Sequence, residues 1–164
     1  MILGVSFGWG YYKGLDIFIR LANELGDDFQ IVLVGTDDKV DKELPKNIIS
    51  IHRTNNQKEL AEIYSAADIF VSATREENYP TVHMEAIACG TPVITFDTGG
   101  CKEIVDPTTG VTVEKNNYEA LKQAIIDFRA ENKDYTEACM ARRKAFDKSD
   151  KYQQYLDLYE RKEF

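Results

Sequence analysis

The sequence has no apolar run long enough to cross a bilayer: nothing in its 164 residues approaches the roughly 18 consecutive apolar positions that a membrane helix needs. Met1 leads into Ile2-Leu3-Gly4-Val5 without the basic segment and apolar stretch of a signal peptide, so the chain reads as cytoplasmic. Cysteine is scarce. Cys89, Cys101 and Cys139 are odd in number and far apart, which argues against a disulfide framework or a zinc cluster and fits reduced thiols. Positive charge is in deficit, with 20 Lys and Arg against 28 Asp and Glu, a net charge of −8. Such a balance opposes binding to phosphate backbones or anionic lipid, so nucleic acid is not an expected partner. A small anion remains compatible with it, because a helix N-terminus and one or two cations can hold a phosphate locally. There is also no linker and no internal repeat, and 43% hydrophobic residues suffice for one core, so a single domain over 1–164 is expected.

What is present is an alternation of short apolar runs and segments of helical period. The runs are Ile2 to Ser6, Gln30 to Val34, Ile48 to Ile51, Ile69 to Ser72, Pro92 to Phe96 and Gly110 to Val113. Rich in Ile and Val and bounded by turn residues, they predict an α/β fold: a doubly wound parallel sheet of about six strands with helices on both faces. Leu15, Phe18, Ile19, Ala22 and Leu25 repeat at helical spacing, as do Leu60, Ile63, Tyr64 and Ala67. A third helix is expected from Pro80, where a missing N–H is harmless, to Gly90, a natural stop. Beyond residue 113, Leu121, Ala124, Ile125 and Phe128 form one helical stripe, and Tyr152, Tyr155, Leu156 and Tyr159 another. So much aromatic surface at a chain end suggests docking onto something outside this chain.

The stretch from Arg75 to Ala86 follows the strand ending near Ser72, which places it at the carboxyl edge of the sheet, where open parallel sheets bind ligands. Glu77 falls in the loop, and Glu85 lies one helical turn beyond Thr81 on the same face. Helical side chains lean toward the N-terminus, so Glu85 can reach the pocket at the start of its own helix. Carboxylates repel phosphate; these two therefore suit hydroxyls or a developing cation, as a ribose diol and an anomeric centre provide. A pair of glutamates at this separation is in general two solvated charges, and only the surrounding proline-started helix and sheet edge give it meaning. His83 lies between the two acids; a lone helical histidine is more often structural.

Glu77 and Glu85 are separated by seven residues, as in the E-x7-E motif of retaining glycosyltransferases, and the surrounding text resembles glycosyltransferase family 4. The likeness extends over Glu77-Asn78-Tyr79-Pro80, Glu85 to Ile94 with its Cys89-Gly90-Thr91-Pro92, Thr98-Gly99-Gly100 and Glu103-Ile104-Val105; upstream, Lys13-Gly14-Leu15 and Ala66 to Val71 take part. This resemblance implies the Rossmann-like, donor-binding C-terminal half of a GT-B fold. It implies that Glu85 holds the ribose hydroxyls, that Glu77 sits by the anomeric carbon as the catalytic group, and that Lys13 binds the diphosphate. Asn78 and Thr81 would contact donor through their backbone, Gly99 and Gly100 would allow close approach of a loop, and the base would rest beyond Ile51, by Arg53. The partners implied are a nucleotide diphosphate sugar as substrate and an N-terminal acceptor domain absent from this chain, through which peripheral membrane association is compatible. The fragment alone would then be inactive. No cofactor and no metal are expected, and the sequence has no D-x-D to propose as a metal site. Capsular or surface polysaccharide assembly is the implied setting. One departure stands out: members often carry an Arg shortly before the Lys-Gly pair, yet this chain reads Phe7-Gly8-Trp9-Gly10-Tyr11-Tyr12-Lys13. An aromatic ring does not replace a guanidinium, so the phosphate site is weaker, built differently or completed by another group.

Two other functions compete. Gly8, Gly10 and Gly14 form G-x-G-x-x-x-G after the first strand, with Asp37 just past the second, which suggests an NAD(P)-binding Rossmann domain of an oxidoreductase. A lone glycine pattern is weak, and it does not explain the downstream Glu, Pro and Gly-Gly blocks. The third reading is a non-catalytic α/β interaction domain.

Overall fold

The structure, a computed structural model, describes residues 1–160. Six four-residue strands, β1 (Ile2–Val5), β2 (Ile31–Val34), β3 (Ile48–Ile51), β4 (Ile69–Ser72), β5 (Val93–Phe96) and β6 (Gly110–Val113), form one sheet in the order β3-β2-β1-β4-β5-β6. Every pairing is parallel. The order runs outward in one direction from β1 to β3 and in the other from β4 to β6, so the loops leaving β1 and β4 diverge at the sheet's centre. This is the doubly wound fold expected from the alternation of apolar runs.

Side chains alternate across the sheet and fill two cores. On one face Ile2, Leu33, Val71 and Phe96 meet α1 (Leu15–Glu24) and α6 (Tyr118–Glu131), whose Phe18, Leu21, Leu121 and Ile125 are almost wholly buried. On the other face Leu3, Val32, Phe70 and Val93 meet α3 (Gln57–Ala66), α4 (Thr81–Ala88) and α7 (Thr136–Arg142) through Tyr64, Ala86, Ile87 and Cys139. Truncating Phe18, which is 0% exposed, would cost about 3–5 kcal/mol.

Local chemistry sets the helix starts. Asn56 caps α3 by accepting from the Glu59 N–H at 3.0 Å, and Asn117 caps α6 by accepting from Ala120. The helix expected from Pro80 starts at Thr81 with Pro80 as its cap residue. Three helices had no signal in the periodicity: α2 (Asp38–Asp41), α5 (Cys101–Ile104) and α7. The first two are single turns, and α7 spans only seven residues, so neither length supports a repeating stripe.

The last helix, α8 (Lys148–Glu160), has no buried residue. Tyr152, Tyr155, Leu156 and Tyr159 are 54–75% exposed, as the surplus of aromatics at the chain end suggested. The cysteines are free, with Cys101 and Cys139 buried. No helix among the described residues is long and apolar enough to cross a membrane.

Candidate functional site

The divergence of the loops after β1 and β4 opens a cleft of about 230 Å³ at the carboxyl edge, bordered by Ser6, Phe7, Lys13, Glu77, Pro80 and Thr81. Parallel strands direct their following helices' N-termini to this edge, so α4 begins at the cleft wall. Its first turn carries no acidic residue, and its cap residue, Pro80, offers no side-chain acceptor, which leaves the positive end of the helix dipole facing the cleft. A larger groove, about 640 Å³, lies at the opposite edge between Met1, Ser65, Phe128 and Lys133, and none of the candidate site residues named from the sequence lines it.

Lys13 sits in a 3-10 turn, Tyr11–Lys13, closed by Gly14 at φ 76°. A side chain is excluded at Gly14, since a Cβ there would lie 2.5 Å from the Ala73 carbonyl oxygen. The lysine Nζ donates to Glu77 Oε2 at 2.9 Å, and the other Glu77 oxygen accepts from the Asn78 N–H at 3.1 Å. Two residues named from sequence 64 positions apart thus meet across the switch point. Gly100 N–H donates to the Asn78 carbonyl at 2.6 Å, and Gly99, at φ 51°, lies so near that a Cβ would fall 1.9 Å from the Glu77 carbonyl oxygen. The Gly99-Gly100 turn is therefore the bed on which the Glu77 loop rests.

Glu85 takes a different neighbour. It is exposed and accepts a hydrogen bond from the Tyr64 hydroxyl of α3 at 3.0 Å, and it does not border the cleft as Glu77 does. Burial, followed by the nearby Glu85 charge, pushes the Tyr64 phenol well above its ordinary value, so Tyr64 is a permanent donor that fixes the carboxylate. Arg53 is exposed on the segment beyond β3 and is not a cleft-lining residue. Thr81 is the first residue of α4 and lines the cleft; Asn78 is exposed in the loop before it.

His83 is 0% exposed, its ring set edge-on to Phe70 at 5.8 Å. Neither nitrogen has a hydrogen-bond partner among the described residues. Burial first, and the charge of Lys13 second, push its pKa down to about 3, so the imidazole is neutral near pH 7. Asp38, Asp41 and His52 place ligand atoms within 4.8 Å of one another and are the described residues best grouped for a cation. Asp41 is already engaged by the Ser50 hydroxyl and by His52 Nε2 at 2.7 Å, and none of the three lines the cleft.

Sequence reasoning left Arg75 out of the site. It is 8% exposed and forms a bidentate pair with Asp16, 2.8 Å at each contact, while its Nε donates to Asn116 at 2.9 Å. These partners lie 59 and 41 residues away, and no local pattern announces such a pairing.

Comparison with known proteins agrees with this fold. The family described as glycosyl transferases group 1 matches residues 9–145. The chain is 30% identical over 131 residues to a GDP-mannose-dependent monoacylated alpha-(1-6)-phosphatidylinositol monomannoside mannosyltransferase of Corynebacterium glutamicum, covering 70% of this chain and 34% of that protein. It is 28% identical over 163 residues to an alpha-galactosylglucosyldiacylglycerol synthase of Streptococcus pneumoniae, covering 91% and 42%. Among solved structures, sucrose-phosphate synthase of Thermosynechococcus elongatus superposes with a TM-score of 0.82 at 26% identity, over 97% of this chain and 44% of that one. The chain spans about a third to two-fifths of the length of these curated relatives. The oxidoreductase reading of the glycine pattern is not favoured. With a parallel sheet of the GT-B type and the family's pattern running through nearly all of it, the chain belongs to the group 1 glycosyl transferases.

Proposed function

We propose that this chain is the donor-binding domain of a retaining glycosyltransferase that moves a hexosyl group from a nucleotide diphosphate sugar to a glycan or lipid-linked acceptor. The observation that carries the reading is the Lys13–Glu77 pair poised over the open N-terminus of α4, at the point where the strand order reverses. A diphosphate placed there meets a cation and a helix dipole, the two features that stabilise a phosphate leaving group without a divalent ion. Relatives named as GDP-mannose-dependent support a nucleotide donor.

On this reading Lys13 exchanges Glu77 for the diphosphate when donor binds, and the freed carboxylate turns to the anomeric carbon. There its charge favours an oxocarbenium-like transition state. Glu85, held by Tyr64, receives the ribose hydroxyls, while Arg53 lies on the side of the base. The acceptor is supplied by a domain outside this chain, in the cytoplasm or at its membrane face, in a setting such as capsular or surface polysaccharide assembly. The chain alone then binds donor without turnover.

The test is a thermal-stabilisation screen of UDP, GDP and ADP sugars, repeated on the best hit with Lys13→Ala. Stabilisation that disappears in Lys13→Ala supports the reading; a folded wild-type chain stabilised by none of the nucleotides overturns it.

A further inference from the structure

The turn that carries Lys13 is closed by its own backbone bonds, Lys13 N–H and Leu15 N–H to the Gly10 carbonyl and Gly14 N–H to the Tyr11 carbonyl, but it has little packing to hold it against the sheet. None of its three residues is buried, and Tyr11 and Tyr12 are 64% and 60% exposed. Ordering a residue's backbone costs about 1–2 kcal/mol, and exposed tyrosines recover little of that by burial. Further restraint comes from the loop after β4. Arg75 N–H donates to the Tyr12 carbonyl at 2.8 Å, the Thr74 hydroxyl approaches the same oxygen at 3.4 Å, and Arg75 Nη1 donates to the Tyr11 carbonyl. The guanidinium lies 4.0 Å from the centre of the Tyr11 ring, and its fork grips Asp16, two residues into α1. Through Nε it also holds Asn116, a non-glycine residue in the left-handed region at φ 64°.

Arg75 thus joins the loops after β1, β4 and β6 at the carboxyl edge. An arginine has five N–H groups, and four of these are engaged within the protein, so the side chain has little left to offer a phosphate directly. Its effect must pass through what it holds. From this geometry we infer that Arg75 is a positioning residue for Lys13: the Arg75–Asp16 clamp holds the turn that presents the lysine to the cleft. The inference rests on the reading of the cleft as a diphosphate site. A lysine at 75 would keep the charge but lose the planar fork that reaches Asp16 and the Tyr11 carbonyl together.

The experiment is isothermal titration of the chain with UDP, GDP and ADP and, for whichever binds most tightly, with its monophosphate. In Arg75→Lys the diphosphate Kd is expected to rise on the order of tenfold, a partial loss of one charge-assisted contact, with the monophosphate Kd changed less than about twofold. In a Lys13→Ala background the same substitution should have no further effect, because the group it positions is gone. Hydrogen exchange at Tyr11–Leu15 should accelerate while β1 and β4 stay protected. If Arg75→Lys does not fold, Asp16→Asn, which keeps the shape and removes the partner's charge, is expected to show the same diphosphate-selective loss.

Equal losses for mono- and diphosphate, or an additive loss in the Lys13→Ala background, would mark a merely structural ion pair and overturn the inference. A folded wild-type chain that binds none of the three diphosphates overturns the donor-site reading and this inference with it. Wild-type binding combined with an indifferent Arg75→Lys overturns the inference alone.

Discussion

Removing either partner of the Lys13–Glu77 pair should change nucleoside diphosphate affinity in opposite directions. The two side chains are 35% and 22% exposed and 2.9 Å apart. A partly solvated pair of this kind is screened and contributes at most about 1 kcal/mol. In the free protein that energy competes with the ligand, since Lys13 must release Glu77 to reach a phosphate. Glu77→Gln removes the competition, and the diphosphate Kd is expected to fall by up to about fivefold. Lys13→Ala removes a charge-assisted contact of about 1.5–3 kcal/mol, and the Kd should rise roughly 10- to 150-fold. Titration calorimetry at low and moderate salt measures both, and the Lys13→Ala variant should show the weaker salt dependence. On the role proposed for Glu77 beside the anomeric carbon, Glu77→Gln in an enzyme completed by an acceptor domain should still lower turnover by about 10²–10³. If Glu77→Gln weakens the diphosphate as much as Lys13→Ala does, the exchange of partners is refuted, and the glutamate is a direct donor ligand instead.

Other outcomes follow from the same geometry. Glu85→Ala leaves the buried Tyr64 hydroxyl without its acceptor and should cost about 1–3 kcal/mol in urea unfolding, more than Tyr64→Phe, which removes the donor itself. His83 is held at about 3 in the folded chain against an ordinary 6.5, so the unfolded state binds the extra proton and stability is lost as pH falls below about 6.5. Between pH 7 and 5 that loss should be about 2 kcal/mol, read as the difference between wild type and His83→Leu. His52, raised by its bond to Asp41, works in the other direction, and its contribution cancels in that difference. Gly99→Ala should cost about 1–2 kcal/mol for the left-handed backbone and more for the clash with Glu77, with diphosphate affinity reduced as the loop shifts. Replacing Tyr152, Tyr155 and Tyr159 by Ser should change this chain's unfolding by less than about 0.5 kcal/mol per site, since none contributes to its core.

Much of the architecture was legible because each strand is a short apolar run with turn residues at both ends, buried on both faces in the centre of the sheet and half-buried in the edge strands β3 and β6, a pattern that survives without any tertiary information. Leu15 to Leu25 and Leu121 to Phe128 announced their helices by spacing alone. The single turns at Asp38–Asp41 and Cys101–Ile104 did not, since one turn has no period to detect. At the site, Lys13 and Glu77 were found by the neighbours they keep in sequence, and they meet in space. The convergence of Glu85 on the same cleft was expected from helix geometry, yet its carboxylate is drawn to Tyr64 of α3, a contact that depends on how two helices pack. Arg75, which the sequence places at or beside the pocket, was left out of the site for the same kind of reason. A charged residue beside Glu76 and Glu77 reads as solvated loop, and only the fold reveals that Asp16 and Asn116 wait on either side of it.

The bed formed by Gly99 and Gly100 has a consequence for redesign. Because the backbone of residues 77 and 78 lies directly on this turn, the two segments share one shape, as a casting shares that of its mould. Alterations that bulge or shorten the 77–79 segment would have to be made together with changes at 98–100, although some twenty positions of sequence and an entire helix separate them. Libraries that vary only the stretch around Glu77 would chiefly sample chains whose two halves no longer fit.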